Sequence, residues 1–258
     1  MSCALVTGGA IGLGRAFSEL LADRGYDLFL TSRNLEHLAS AQKEIQAKYR
    51  VKVHIFVGDL SKAEFRDKLI SFVEPYDIDL LINNAGFGHN DLFEVAPLDK
   101  EYQMIDLNIK ALHHLMKHFY GMFKTKGQGR IINVSSLAGF VPGAYASTYY
   151  ASKAYVTSIT RALAYEAKVT KSNVKIQALC PGPLKTQFFE TAGTQVKFYK
   201  RDPKFAARAI LDSKRVVVVP GLKEKLAHGM LKVLPTNLTV RFAGFGQRRK
   251  KNPYKNSA

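Results

Sequence analysis

Residues 2–14 read Ser2-Cys3-Ala4-Leu5-Val6-Thr7-Gly8-Gly9-Ala10-Ile11-Gly12-Leu13-Gly14, a short apolar run that leads into four glycines. A helical pattern continues to Arg24, with Phe17, Leu20 and Leu21 spaced to face inward. The stretch therefore predicts a strand, a tight turn and a helix. Glycine lets the backbone approach a pyrophosphate, which the amide groups at the start of the helix would stabilise. We interpret the turn as a dinucleotide-binding loop, because it stands at the first strand-to-helix junction.

The rest of the chain alternates strand and helix patterns without an internal repeat. Such alternation predicts right-handed crossovers and a parallel sheet covered on both faces. With 258 residues, of which 47% are hydrophobic and 23% charged, one large domain is expected. The predicted fold class is α/β, a Rossmann-like three-layer αβα arrangement with a doubly wound parallel sheet of about seven strands. Strands are expected near 2–7, 27–31, 51–57, 78–83, 129–135, 174–180 and 215–219, and helices near 12–24, 35–48, 62–74, 99–124, 149–169 and 203–212.

A tyrosine and a lysine stand four residues apart in Tyr149-Tyr150-Ala151-Ser152-Lys153. This spacing places a phenol and an ammonium on one face of a helix. A neighbouring positive charge favours phenolate, so Tyr149 is a candidate general acid and base. The spacing alone is weak evidence, because the chain contains twelve tyrosines and many lysines.

Further polar and glycine motifs follow the ends of the predicted strands or lie in the next helix, where open α/β sheets bind their ligands. They are Asp59, Asn84-Ala85-Gly86, Asn108, Ser136 and Pro181-Gly182-Pro183-Leu184-Lys185-Thr186. Together with the glycine turn, Tyr149 and Lys153, these motifs closely resemble the short-chain dehydrogenase/reductase family in its compact single-domain branch. The resemblance covers about residues 2 to 220, with five motifs in family order at family-like spacing.

The resemblance implies a catalytic set of Asn108, Ser136, Tyr149 and Lys153. Tyr149 would exchange a proton with the substrate oxygen, while Lys153 would lower the pKa of that phenol and hold the nicotinamide ribose. Ser136 precedes Tyr149 by the family spacing and would bind the substrate oxygen, and Asn108 would hold a water in a proton relay. The resemblance also implies cofactor contacts from Gly8, Ala10, Ile11, Gly12, Gly14, Asp59, Asn84, Ala85, Gly86, Tyr149, Lys153, Pro181, Gly182 and Thr186.

The end of the second predicted strand indicates which nicotinamide cofactor is used. An acid there would accept hydrogen bonds from the adenosine ribose, whereas an arginine can pair with a 2′-phosphate. The sequence Leu28-Phe29-Leu30-Thr31-Ser32-Arg33 contains no acid and ends in Arg33. We therefore predict that NADP(H) is preferred over NAD(H), with Arg33 among the cofactor contacts. The alternative for Arg33 is a solvated cation in a loop.

Aromatic residues surround the predicted site. The segment 187–202, which resembles the family's substrate lid, contains Phe188, Phe189, Phe198 and Tyr199. An apolar lid favours a lipophilic carbonyl or alcohol substrate. The alternative for each of these aromatic residues is that it packs in the local core. The neighbouring loops add Phe87, Phe93, Phe140, Val141 and Pro142.

Several other functions are disfavoured. His113, His114 and His118 lack a carboxylate or cysteine pattern around them, so no metal site is predicted and a solvated or subunit-facing surface is expected. Cys3 and Cys180 fall in predicted core strands, which suits a reducing compartment. No run is apolar enough for a membrane span, and the first strand begins too close to the start for a cleavable signal peptide. We expect a cytoplasmic protein.

The last 38 residues differ from the rest in charge. Segment 221–258 contains nine lysines and arginines against the single acid Glu224, which is +8 of the total +17. Apolar residues recur at helical spacing from Leu222 to Leu234, and Pro235 would end that helix. Three interpretations remain open, in falling order of preference: packing on the domain or a sister subunit, contact with an anionic membrane surface, and nucleic-acid binding by the run 248–251. We predict a catalytic domain over 1–220 and a basic amphipathic extension over 221–258.

The sequence thus predicts an NADP(H)-dependent oxidoreductase that interconverts a lipophilic carbonyl and alcohol, in a homodimer or homotetramer. The alternative is a dinucleotide-binding regulatory or scaffold protein that uses its basic tail to find partners. The complete proton-relay set argues against that alternative. A sugar-nucleotide epimerase of the same superfamily would need a longer chain.

Overall fold

A seven-stranded sheet forms the centre of the computed structural model, which describes residues 2–192 and 200–248. The strand order is β3-β2-β1-β4-β5-β6-β7, and all neighbouring strands are parallel. The predicted doubly wound sheet is therefore confirmed. The strands are β1 Cys3–Thr7, β2 Asp27–Ser32, β3 Val53–Val57, β4 Ile78–Asn83, β5 Gly129–Val134, β6 Val174–Leu179 and β7 Val217–Val218.

Helices cover both faces of this sheet, because the strands are apolar on both sides. All five residues of β1 are buried, with Leu5 paired to Phe29 of β2 and to Leu81 of β4. Two separate hydrophobic clusters result, one on each face. The helices are α1 Gly12–Asp23, α2 Leu35–Lys48, α3 Ala63–Val73, α4 Leu98–Ile105, α5 Leu112–Lys126, α6 Ser147–Val169, α7 Phe188–Thr191, α8 Pro203–Leu211, α9 Leu222–Val233 and α10 Thr236–Arg248.

The predicted helix 99–124 is interrupted. A π-helical segment, Asp106–Ala111, joins α4 to α5 and contains Asn108. One extra residue per turn shifts the faces of the helix, and such insertions cluster at functional sites. Three more helical segments were not predicted: α7, α10 and a 3-10 turn, Leu137–Phe140.

The chain order reverses between β1 and β4, which opens a crevice at the carboxyl ends of the strands. Farther along this edge, Leu184 and Arg201 form an isolated parallel bridge that brings the two ends of the intervening segment together. The amide of Lys185 donates to the Arg201 carbonyl at 2.8 Å, and the Arg201 amide donates to the Pro183 carbonyl at 2.9 Å. The predicted lid residues Phe198 and Tyr199 lie outside the described residues.

The length and apolar character that a membrane span needs are not combined in any helix of the described ranges.

Candidate active site

The turn after β1 needs glycine because side chains would not fit there. A Cβ on Gly14 would lie 1.9 Å from the Gly8 carbonyl oxygen. Gly8 and Gly12 have φ angles of +63° and +57°, a region that L side chains rarely adopt. Ile11 precedes α1 and provides no side-chain cap, and the first residues of this helix line the crevice. This is the arrangement that binds phosphate groups.

Neighbouring polar groups hold the turn in place. The Asn84 side-chain amide donates to the carbonyls of Thr7 at 2.9 Å and Gly8 at 3.2 Å. In return, the Thr7 hydroxyl accepts from the amides of Asn84 and Ala85, each at 2.9 Å. Strands β1 and β4 are thereby fastened at the reversal point of the sheet. Asn84 therefore both lines the crevice and holds the central strands together.

The crevice is a cavity of about 640 Å³ that runs from the ends of β2 and β3 to the ends of β5 and β6. Of the predicted site residues, all but Asn108 line it. Sequence reasoning missed further lining residues, most of which adjoin predicted positions at the strand ends. The missed residues include Leu13, Thr31, Ser32, Asn34, His37, Leu60, Leu107, Leu137, Pro183 and Gln187.

The β2 and β3 end of the cavity is polar. Arg33 is exposed at its edge, directly after β2. The Asp59 carboxylate accepts from the amide and hydroxyl of Ser61 at 3.0 and 2.8 Å, which fixes its orientation. The buried hydroxyl of Thr31 also lines the cavity and has no hydrogen-bond partner among the described residues. An unsatisfied buried hydroxyl and open helix amides fit a polar dinucleotide at this end.

Ser136, Tyr149 and Lys153 meet at the opposite end of the cavity. Lys153 is only 5% exposed, and its ammonium donates to the Val134 carbonyl at 2.9 Å. The same Nζ lies 5.8 Å from the centre of the Tyr149 ring. The three groups therefore combine a phenol, a hydroxyl and a buried cation in one place, which suits proton transfer to a carbonyl oxygen.

Burial controls the proton affinities of this pair. Burial raises the pKa of Tyr149 well above its usual value, and a hydrogen bond with Ser136 opposes that rise. Burial also lowers the pKa of Lys153 to about 8. The phenol therefore holds its proton at neutral pH, whereas the sequence argument expected Lys153 to lower its pKa. The difference arises because desolvation outweighs other effects on the phenol.

The two adjacent serines point to different surroundings, as expected from alternation along a strand end. The Ser135 hydroxyl donates to the Lys153 carbonyl at 2.9 Å and lies 2.7 Å from the Thr157 hydroxyl. The Ser136 hydroxyl accepts from the Ala138 amide at 3.1 Å and interacts with Tyr149. Ser136 is thus the serine placed next to the phenol.

Asn108 lies behind the cavity wall. Gly86 separates it from Lys153: a Cβ on Gly86 would be 2.8 Å from Asn108 Oδ1 and 3.6 Å from Lys153 Nζ. The Asn108 amide donates to the Ser152 hydroxyl at 3.1 Å and to the Phe87 carbonyl at 2.9 Å. Its side chain therefore connects the loop after β4 to α6, the helix that contains both Tyr149 and Lys153.

Aromatic residues line the mouth of the cavity. Phe188 packs on Tyr149 with ring centres 5.5 Å apart, and Phe87 and Phe189 also line the cavity. Phe93 is largely exposed, and Phe140 stacks on His228 with ring centres 4.0 Å apart. The described cavity wall includes neither of these two, nor Val141 or Pro142. Only part of the predicted aromatic set therefore contributes to the pocket.

The histidines of α5 contact other side chains of the domain. Within residues 2–192 and 200–248, no group of three His, Cys, Asp or Glu side chains is arranged to hold a metal ion. His113 instead lies 2.6 Å from the Tyr155 hydroxyl, and His114 lies 3.4 Å from Arg66. Cys3 and Cys180 are buried, as predicted.

Comparisons with known proteins agree with this geometry. A family model described as short chain dehydrogenase matches residues 2–197. Hydroxysteroid dehydrogenase-like protein 1 of Gallus gallus is 33% identical over 215 residues, which cover 80% of this chain and 64% of that protein. An uncharacterized oxidoreductase of Staphylococcus saprophyticus is 30% identical over 210 residues, which cover 81% of this chain and 88% of that one. The chain thus spans less than two thirds of the first relative and most of the second.

Solved structures share the fold. A short-chain dehydrogenase from Sphingobium yanoikuyae in complex with NADPH superposes with a TM-score of 0.81 at 26% identity, covering 91% of this chain and 97% of that one. A short-chain dehydrogenase/reductase from Burkholderia phymatum in complex with NAD gives 0.81 at 20% identity, covering 90% and 92%. Since the family match extends over most of the sheet and the site, this chain belongs to the short-chain dehydrogenase/reductase family of oxidoreductases.

Proposed function

We propose that this protein is an NADP(H)-dependent oxidoreductase that interconverts a lipophilic carbonyl and the corresponding alcohol, with Tyr149 as general acid and base. One observation supports this most strongly. Ser136, Tyr149 and Lys153 line the same cavity as the glycine turn, so a proton donor and a nicotinamide ring would meet in one enclosed space.

The residues present fit a nicotinamide dinucleotide. The uncapped amides at the start of α1 would bind the pyrophosphate, and the unsatisfied hydroxyl of Thr31 would bind at the adenosine end. Two further sets of residues complete the proposed cofactor site. They are Asp59, Asn84, Ala85 and Gly86 on one side and Pro181, Gly182 and Thr186 on the other. When bound, the nicotinamide supplies or accepts the hydride.

Preference for NADP(H) is supported by charge. Arg33 stands at the cavity edge with no acid in the preceding strand end, so it can pair with a 2′-phosphate. The two solved relatives named above contain NADPH and NAD respectively, so cofactor choice has to be argued from the residues of this chain.

In the reducing direction, Tyr149 donates its phenolic proton to the substrate oxygen. A phenol with a raised pKa is protonated at neutral pH, which is the form that this step requires. The ammonium of Lys153 stabilises the phenolate that results, and Ser136 orients the substrate oxygen. We keep Asn108 in the proposed set, and its bonds to Phe87 and Ser152 would hold the backbone next to Lys153.

A lipophilic substrate is supported by Phe87, Phe188 and Phe189 around the cavity mouth. The name of the Gallus gallus relative, hydroxysteroid dehydrogenase-like, points to the same class of compound. For the assembly and location, a homodimer or homotetramer in the cytoplasm stays our prediction, which light scattering and cell fractionation would test.

The deciding experiment follows NADPH oxidation over a panel of ketones that includes steroid, fatty acyl, aromatic and sugar carbonyls. We expect turnover with at least one lipophilic ketone. Tyr149→Phe should abolish that turnover while NADPH still binds. Tyr155→Phe is the matched control, because Tyr155 lies on the same helix outside the cavity wall. Tight NADPH binding without turnover on any carbonyl would instead favour the regulatory or scaffold alternative.

A further inference from the structure

Helix α9 presents a stripe of apolar side chains to the outside. Leu222, Leu226, Met230 and Val233 are between 61% and 81% exposed. Their spacing of four, four and three residues places them on one face of the helix. Soluble proteins rarely leave such a continuous apolar stripe uncovered, so this stripe, which we call the α9 stripe, indicates a docking surface.

The opposite face of α9 is fixed to the catalytic domain. Glu224 accepts two hydrogen bonds from the Arg201 guanidinium, at 2.9 and 2.8 Å. The His228 ring packs on Phe140 with centres 4.0 Å apart. A Cβ on Gly182, which lines the cavity, would lie 3.0 Å from Glu224 Cγ. The helix is therefore anchored beside the substrate cavity with its apolar stripe turned outward.

Charge identifies the partner that suits this surface. Exposed Lys223 and Lys225 lie on either side of the α9 stripe in the helical arrangement. Glu224 is the only acid in segment 221–258, and it is turned inward to Arg201. The outward face of α9 therefore combines apolar residues with cations and contains no acid. That combination is typical of a helix that lies in the surface of an anionic bilayer.

Helix α10 extends the same kind of surface. It is held by a buried Thr239 and by Gly244, on which a Cβ would lie 3.3 Å from Ala144 Cβ. Its outer side exposes Leu238 and Phe245 together with Arg241. Two consecutive helices thus present apolar and basic residues to the outside.

We propose that the α9 stripe and its flanking cations dock the protein on an anionic lipid surface. A second copy of this chain fits less well, because a two-fold interface would bring two +8 tails together. The inference concerns location and does not depend on the reaction proposed above, although docking would place the cavity beside the lipid phase.

The first test compares two double variants of the full chain on vesicles of phosphatidylcholine and phosphatidylglycerol in equal parts. Leu226→Glu with Met230→Glu should reduce co-sedimentation with these vesicles by more than about tenfold. Tyr165→Glu with Val169→Glu is the matched control, because both residues are exposed to the same degree at the same spacing on α6. The control should bind vesicles as the parent does. Both variants should keep the parent's thermal midpoint and NADPH affinity.

The second test uses the absence of tryptophan from the sequence. Met230→Trp provides a single reporter on the stripe, and Tyr165→Trp provides one on α6. We expect a blue-shifted emission on adding anionic vesicles only for Met230→Trp, weakened by salt and absent with pure phosphatidylcholine.

Two results would overturn the proposal. One is equal vesicle binding by the parent and the Leu226→Glu, Met230→Glu variant. The other is a parent that ignores anionic vesicles but whose dimer, seen by sedimentation velocity, dissociates in that variant, since this would assign the stripe to a second copy. Neither result bears on turnover of a soluble ketone, so the proposed reaction is judged separately.

Discussion

The side-chain amide of Asn108 makes two hydrogen bonds with the backbone of Phe87. The Phe87 amide donates to Asn108 Oδ1 at 3.1 Å, and Asn108 Nδ2 donates to the Phe87 carbonyl at 2.9 Å. The side chain is 1% exposed, so no water can replace it without rearrangement. Asn108, in the π-helical segment, thus fixes the loop that follows β4, close to the ammonium of Lys153.

We first predict that Asn108→Ala destabilises the fold and slows turnover. The Phe87 amide and carbonyl would lose their partner, which costs about 1–3 kcal/mol for buried groups. Urea unfolding gives the free energy, and NADPH oxidation gives the rate. Asn237→Ala, at an exposed position, is the control and should leave both unchanged. Unaltered stability in Asn108→Ala would show that the pairing contributes nothing.

As a second prediction, substitutions of the adjacent Ser135 and Ser136 should distinguish a catalytic role from a packing role. Ser136→Ala removes the hydroxyl beside Tyr149 and should lower kcat by about a hundredfold or more, while loss of the bond from the Ala138 amide should cost at most about 1 kcal/mol of stability. Ser135→Ala removes bonds to Lys153 and Thr157 inside the protein and should cost about 1 kcal/mol of stability. Steady-state kinetics and urea unfolding of both variants provide the comparison. A larger kcat loss in Ser135→Ala would reverse the assignment.

A third prediction concerns the cost of burying Lys153. Its pKa falls from 10.5 to about 8 in the folded state, so between these pH values the unfolded chain binds a proton that the native state lacks. The stability penalty is full below pH 8 and disappears as pH rises toward 10.5. Lys153→Met should therefore be more stable than the parent at pH 7, by about 2 kcal/mol after loss of the bond to the Val134 carbonyl.

That advantage of Lys153→Met should shrink at pH 10, while turnover is lost at every pH. Urea unfolding of the parent and the variant at pH 7 and pH 10 measures the difference, in which the other titrating groups cancel. A difference that does not change with pH would mean that the native ammonium titrates as it does in water.

Cofactor preference provides the fourth prediction. A charge-assisted contact contributes about 1.5–3 kcal/mol, so the parent should bind NADPH roughly tenfold to a hundredfold more tightly than NADH. Arg33→Asp should erase that preference by repelling the 2′-phosphate. Arg50→Asp makes the same change of charge at an exposed site outside the cavity wall and should preserve it. Calorimetric titration with both cofactors tests this prediction. Equal affinities for NADPH and NADH in the parent would contradict the role of Arg33.

The fifth prediction contrasts two glycines. Gly14→Ala would drive a methyl group against the Gly8 carbonyl, so NADPH binding should be lost and the thermal midpoint should fall. Gly121 lies inside α5, and a Cβ there would meet no atom within 4 Å. Gly121→Ala should therefore stabilise the protein by up to about 1 kcal/mol without affecting NADPH binding. Thermal unfolding with and without NADPH checks both expectations.

Much of this architecture follows from local sequence patterns. Apolar runs that end in glycine or a polar motif locate the strands, and parallel topology then brings Asp59, Asn84 and Ser136 to one edge. The resemblance to a known family added the pairing of Ser136 with Tyr149. The divergence of Ser135 and Ser136 also follows from a local property, the alternation of side chains along a strand.

Other features depend on information that periodicity does not contain. The π-helical segment around Asn108 adds a residue to one turn, and a pattern with a period of 3.6 is too coarse to detect it. Helix α10 contains two glycines and is stabilised by tertiary contact of Gly244 with Ala144, which no local rule predicts. The raised pKa of Tyr149 depends on three-dimensional burial, whereas the sequence indicated only the charge on Lys153.

The bridge between Leu184 and Arg201 affects how freely the sequence between these two residues can vary. It joins the two ends of the intervening segment by backbone hydrogen bonds, so this closure does not depend on the side chains between them. Doubling the length of a closed flexible loop costs only about 0.6 kcal/mol of entropy. Evolution or design can therefore exchange residues beyond Thr186 in this segment while the bridge keeps its two ends at the edge of the sheet.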